Sequence, residues 1–162
     1  MLVSTPEIMR YLLFAFFVFF LVPTAPISSQ TDTRADSIAA AFALRQDFRQ
    51  VPQGYAIFER IYARDLAKGR RDSLTATTLS GLGEYALLID GNHYRSARFY
   101  RSAQELADSL YAYPHQERVR IGMRLAELFQ RHEPKKAAVM FRDLLVELQA
   151  MPEDTQRQMQ GI

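Results

Sequence analysis

Apolar residues along this chain of 162 residues return every three or four positions, and they do so in six successive stretches. Ile38, Ala41, Leu44, Phe48 and Val51 mark the first, at the spacing of one face of an α-helix, and Pro52 with Gly54 is expected to break it. A second stripe, Tyr55, Phe58, Ile61, Tyr62 and Leu66, runs to Gly69, where a left-handed C-terminal cap forms readily. Asp72 or Ser73 can cap a third helix with the stripe Leu79, Leu82, Tyr85, Ala86 and Ile89, and Gly91 with Asn92 supplies the turn into the next. The fourth collects Tyr100, Ala103, Leu106, Ala107 and Leu110 before Pro114. Val119, Gly122, Leu125, Ala126 and Phe129 make the fifth, and Ala137, Phe141, Leu144 and Leu148 the sixth, opened by Pro134 and closed by Pro152. Nothing reads as a strand, so the expected class is all-α.

The stripes also repeat one another. Ala56, Phe58 and Arg60 are answered by Ala97, Phe99 and Arg101, and again by Ala138, Met140 and Arg142, at a fixed step of 41 residues. Leu82, Gly83 and Glu84 match Leu125, Ala126 and Glu127 at a step of 43, the difference falling in the loops. A period of this size on helical patterns indicates an array of helical hairpins, each burying its apolar face on the next. Arrays of this kind bind more often than they catalyse. A glycine inside a helix costs about 1 kcal/mol relative to alanine, so Gly81 and Gly83 are expected to have a packing reason, close approach of a neighbouring helix.

The first segment stands apart. Tyr11 to Val22 is an unbroken apolar run of 12 residues, preceded by Arg10 and followed by Pro23 and Pro26. It is shorter than the roughly 20 residues that cross a bilayer and matches the roughly 7 to 15 of a secretory signal core. Residues 1–29 are therefore read as a signal peptide, cut between Ser29 and Gln30, with an uncleaved signal anchor or a buried core helix as the alternatives. Residues 30–34 then form a polar connector, 35–152 the helical repeat domain, and 153–162 a polar tail, frayed or a short stub. The expected location is outside the cytoplasm, in the periplasm, or at the membrane if the apolar segment is retained.

Composition narrows the function more than it names it. The chain has no cysteine, which rules out a disulfide framework and a lipid-modified cysteine after the leader. A net charge of +2, from arginines scattered over every helix, reads as solvated faces and not as a nucleic-acid footprint. His93, His115 and His132 lie near helix ends without metal-ligand spacing, no glycine-rich phosphate loop follows a strand, and no serine has a histidine and acid placed to activate it. Glu59 beside Arg60, and Glu127 four residues before Arg131, read as surface ion pairs. No cofactor, metal or enzymatic activity is expected.

With Leu82 and Gly83 in one helix, Ser96, Tyr100 and Ala103 in the next, and Asp90, Gly91 and Asn92 between them, the chain resembles the tetratricopeptide repeat family. The following unit offers Leu125 and Ala126, then Ala137, Phe141 and Leu144, with Pro114 and Pro152 as closing prolines. The resemblance is good over residues 73–152 and poor over 35–69. It departs from the family in having no tryptophan and in a step longer than the usual repeat of about 34 residues. Longer helices account for that, and the pattern is most similar to the longer-helix repeats in sensory regions of bacterial signalling proteins. Armadillo and HEAT arrays have a closer period but lack the small, aromatic, small arrangement.

The resemblance implies an α-solenoid of about three antiparallel hairpins, six helices in all, whose concave wall is made by the first helix of each pair. That wall is expected to carry Thr77, Ser80, Glu84 and Leu87 from the third helix and Arg120, Met123, Glu127 and Gln130 from the fifth. Two glutamates and an arginine suit a protein or peptide segment with basic and polar side chains, and Met123 can adapt to an apolar anchor. The expected function is an exported scaffold that binds such a partner. The alternative is a membrane-anchored or truncated sensory domain of a signalling protein. The apolar side of the last hairpin is expected to need a cover: the tail from Glu153, a downstream domain, or a second copy in a homo-oligomer.

Overall fold

The computed structural model describes residues 33–160. Seven α-helices make up the described residues, with no strand among them: α1 Thr33–Ala43, α2 Val51–Ala67, α3 Ser73–Asp90, α4 His93–Leu110, α5 Gln116–Gln130, α6 Pro134–Gln149 and α7 Glu153–Gln160. A short 3-10 turn, Leu44–Gln46, follows α1. Residues 1–32, with the apolar run, and 161–162 lie outside this range.

The punctuation acts largely as its chemistry dictates. Asp72 accepts the Thr75 N–H at 2.9 Å and so starts α3, and Asn92 does the same for α4 with the Arg95 N–H at 2.9 Å. Gly69 and Gly91 take φ of +61° and +60°, the left-handed geometry that ends α2 and α3. Pro134 sits in the first turn of α6. The expected break at Pro52 and Gly54 is corrected: both lie inside α2. Proline in a first turn forfeits no hydrogen bond, and a Cβ at Gly54 would meet the ring of Tyr85 at 2.6 Å, so this glycine seats an aromatic side chain.

From α1 to α6 each helix packs on its neighbours in the chain, most extensively α3 on α4 and α5 on α6, and α1 also touches α3. Close approach is made possible by missing side chains. A Cβ at Gly83 would lie 2.7 Å from the Tyr100 ring, and one at Gly81 2.5 Å from that of Phe58. The Ser96 hydroxyl donates to the Gly83 carbonyl at 2.7 Å, so the smallest positions of α3 and α4 face each other. Tyr85 is fully buried and donates its hydroxyl to the Ala41 carbonyl of α1. The repeated triplets keep one role: Phe58 is buried, Phe99 and Met140 pack against the core, and Arg60, Arg101 and Arg142 are exposed.

Four expected core residues are corrected to the surface: Phe48, 76 % exposed, and Leu66, Ile89 and Leu110. Phe48 belongs to the turn between α1 and α2, and the other three lie in last helical turns.

Two buried acids were not anticipated. Asp65 near the end of α2 is fully buried, paired at 2.9 Å with Arg34 of α1 and accepting the Thr75 hydroxyl at 3.0 Å. Glu147 near the end of α6 takes the His115 N–H at 3.0 Å and pairs with Arg118 of α5 at 3.1 Å. Arg34 thus belongs to the folded unit, not to a connector. Asp65 and Glu147 are two steps of 41 apart, and the position midway, Leu106, is buried with Ala76 in an apolar cluster.

Arg34 also reaches Asp72 at 2.6 Å. Burial opposes ionisation of the Asp72 carboxyl, but the Arg34 guanidinium and the Thr75 N–H and hydroxyl outweigh it and hold its pKa below the usual carboxylate value. A depressed folded value means stability that is present above the unfolded pKa of about 3.9 and lost as pH falls through the folded one. We expect the urea midpoint of the wild type to fall in that acidic range and that of Asp72→Asn, which can still cap α3, to fall less. Parallel curves would show that Asp72 contributes nothing to the acid response.

Candidate functional site

A cleft of about 290 Å³ opens between α3 and α5, with α4 beneath it. Glu84 and Leu87 form one wall, Arg124, Glu127 and Leu128 the other, and Tyr100 and His93 of α4 complete it. Three residues expected on a common wall, Glu84, Leu87 and Glu127, thus meet around one space.

Arg120 and Met123 line a neighbouring pocket of about 400 Å³ between α5 and α6, whose other walls include Val119, Phe141, Leu144 and Leu148. Arg124 and Glu127 border both spaces, so the two are adjacent. Gln130 joins His93, Glu127 and Arg131 around a third opening of about 350 Å³.

Thr77 lines none of the three, and its hydroxyl is turned back to the Ser73 carbonyl at 3.0 Å. Ser80 is a correction: it is buried, 3 % exposed, and does not belong to an open wall. The reason lies in α3 itself. It packs against α1, α2 and α4, and Thr75, Ala76 and all residues from Thr78 to Gly83 are buried. A single inward stripe was the wrong template for a helix with neighbours on several sides; its concentration of small residues was the available signal.

The charges of the cleft are paired within the chain. Glu84 meets Arg45, in the turn after α1, at 2.7 Å, and Glu127 meets Arg124 at 3.0 Å, one helical turn away, instead of Arg131. All four side chains are substantially exposed, so these pairs are worth about 0–1 kcal/mol each and a competing charged ligand can replace them. Burial pushes the Tyr100 hydroxyl up to about 12, and the Glu84 carboxylate adds to the effect, so the phenol is neutral at physiological pH and available as a donor. Sequence reasoning missed Arg124, although it lies four residues after Arg120 and three before Glu127, on the same face. Tyr100 was assigned to the core, and its burial agrees, but its ring also reaches the cleft.

No family model, no curated protein and no solved structure matches this chain.

His93 and His132, far apart in sequence, bring their rings to 5.9 Å, edge to face. His115 stacks on Tyr111 at 3.9 Å, and its Nδ1 accepts the Glu117 N–H at 3.1 Å, an N-terminal cap for α5. Among the described residues no group of three or more histidine, cysteine, aspartate or glutamate side chains is placed to hold a metal ion. None of the described helices is long and apolar enough to cross a membrane.

Proposed function

We propose that α1–α2, α3–α4 and α5–α6 are three consecutive antiparallel hairpins of a tetratricopeptide-like solenoid, and that the protein is an exported scaffold binding a protein or peptide segment without catalysis. The packing of chain neighbours on one another supports the architecture. So does the recurrent staple: an arginine early in the first helix meets a buried acid late in the second in the outer two pairs, through Arg34 with Asp65 and Arg118 with Glu147. In the middle pair the seat of the acid is taken by Leu106, buried in an apolar cluster, and that of the arginine, 43 residues before Arg118, by the buried Thr75. Apolar residues commonly replace a buried ion pair without loss of stability. Export rests on the apolar run from Tyr11 to Val22 with its flanking Arg10, which favours delivery to the periplasm.

The observation that carries the binding reading is the convergence of Glu84 and Leu87 of α3 with Glu127 of α5 on one cleft. These come from first helices of successive proposed hairpins, and Glu84 and Glu127 are 43 residues apart, equivalent seats in the recurrence. A segment laid across them exchanges Arg45 and Arg124 for its own basic side chains, uses Tyr100 as a polar contact and reaches the apolar pocket beside Met123.

A displayed random-peptide library selected on the wild-type protein tests this. Enriched peptides are expected to combine lysine or arginine with a nearby apolar residue. Glu84→Gln with Glu127→Gln should weaken them by roughly tenfold or more, the weight of a lost charge-assisted hydrogen bond, at unchanged melting temperature. Failure to enrich such peptides, or an equal fall in melting temperature, would refute the assignment.

A further inference from the structure

Among the residues of α7, Glu153–Gln160, Met159 is the one apolar side chain. It packs on the cluster of Val119, Ala126, Leu144 and Met151 and forms part of the wall of the apolar pocket between α5 and α6. The side-chain bonds from α7 to the preceding chain come from Gln156, whose Nε2 donates to the Met151 carbonyl at 2.7 Å and the Gln149 carbonyl at 3.3 Å. Arg157 pairs with Glu153 and Asp154 of the same helix, all of them largely exposed. Among the described side chains, Gln156 thus ties the helix beside Pro152 and the flexible thioether of Met159 seats its far end.

The expected tail of frayed or stub-like residues is a helix that covers part of the apolar side of α5 and α6. Its cover is incomplete, because about 400 Å³ of space remains beside Met159, within the size range of ligand pockets. The same pocket borders the cleft through Arg124 and Glu127.

The geometry points to α7 as an intramolecular competitor for this pocket. Met159 holds the place of a partner's apolar side chain and gives way when a segment lying in the cleft inserts a leucine, methionine or phenylalanine next to its basic residue. An unbranched methionine suits the role, since it fills an irregular site without locking it, and Met123, which lines the same pocket, adapts to either occupant. The identity of the competing segment rests on the binding reading above; the release of α7 does not.

The test uses the full chain and, as the probe, 1-anilinonaphthalene-8-sulfonate, an anionic dye whose aromatic rings enter apolar pockets. Met159→Ser should raise dye fluorescence severalfold with the unfolding midpoint unchanged, and Met123→Glu in the same chain should return it to the wild-type level. In the wild type, saturating dye should accelerate hydrogen exchange of the α7 amides and leave α5 and α6 protected. Unchanged dye binding in Met159→Ser, or slower exchange of α7 with dye bound, would overturn the proposal, the latter because α7 would then be closing over its occupant. Exchange in the wild type decides the matter even if the serine variant folds poorly. Glu84→Gln should leave the dye response intact, so failure of the cleft and failure of this inference are told apart.

Discussion

Replacing Asp65 by alanine is expected to cost about 3–5 kcal/mol, the effect of stripping one partner from a buried ion pair. Asp65 has no solvent exposure, and the Arg34 side chain is only 9 % exposed, so the change strips Arg34 of its buried acidic partner while leaving Asp72 at 2.6 Å. The Thr75 hydroxyl loses its bond to Asp65 at the same time, although Asp72 still accepts from it at 3.0 Å. Urea unfolding should show a lower midpoint at unchanged slope. Asp65→Leu combined with Arg34→Met should recover most of the loss, because the equivalent seat in the middle pair is held by Leu106 among apolar neighbours. A double variant as unstable as the single one would show that the pair is specific to its site and not one version of a recurring staple.

Gly83→Val is expected to destabilise the fold by about 1–3 kcal/mol, the usual cost of overpacking, in spite of valine's better helix propensity. The first added atom would lie 2.7 Å from two carbons of the Tyr100 ring, which is buried between the helices. The separation of α3 and α4 would have to grow, stretching the 2.7 Å bond from Ser96 to the Gly83 carbonyl. Shortening the obstructing side chain with Tyr100→Leu should make the two changes non-additive in a double-mutant cycle, the pair costing less than the sum. Strict additivity would contradict this account of the glycine.

The helices, their caps and the packing purpose of Gly83 were legible because each depends on local rules: a three-to-four residue period, an aspartate or asparagine before a helix, a missing side chain where two helices cross. The ion pairs were not. Arg34 and Asp65 are 31 residues apart, and nothing in their neighbourhoods distinguishes them from the arginines and acids that remain in water. The recurrence of 41 residues did pass through Asp65, Leu106 and Glu147, but a position that alternates between acid and leucine looks like no repeat until burial shows its common role. Three of the eight candidate wall residues line one cleft. Glu84, Leu87 and Glu127 converge as expected, whereas Ser80 is lost to the interior because α3 is enclosed on more sides than a hairpin at an array end.

The central claim is that Glu84 and Glu127 hold equivalent seats on opposite walls of one cleft. The chain contains no cysteine, so cysteines introduced at those two positions are the sole attachment points for a pair of spin labels. Pulsed electron resonance should then give a single narrow distribution of short distances. A long or broad distribution would contradict the stacking and, with it, the binding function built on it.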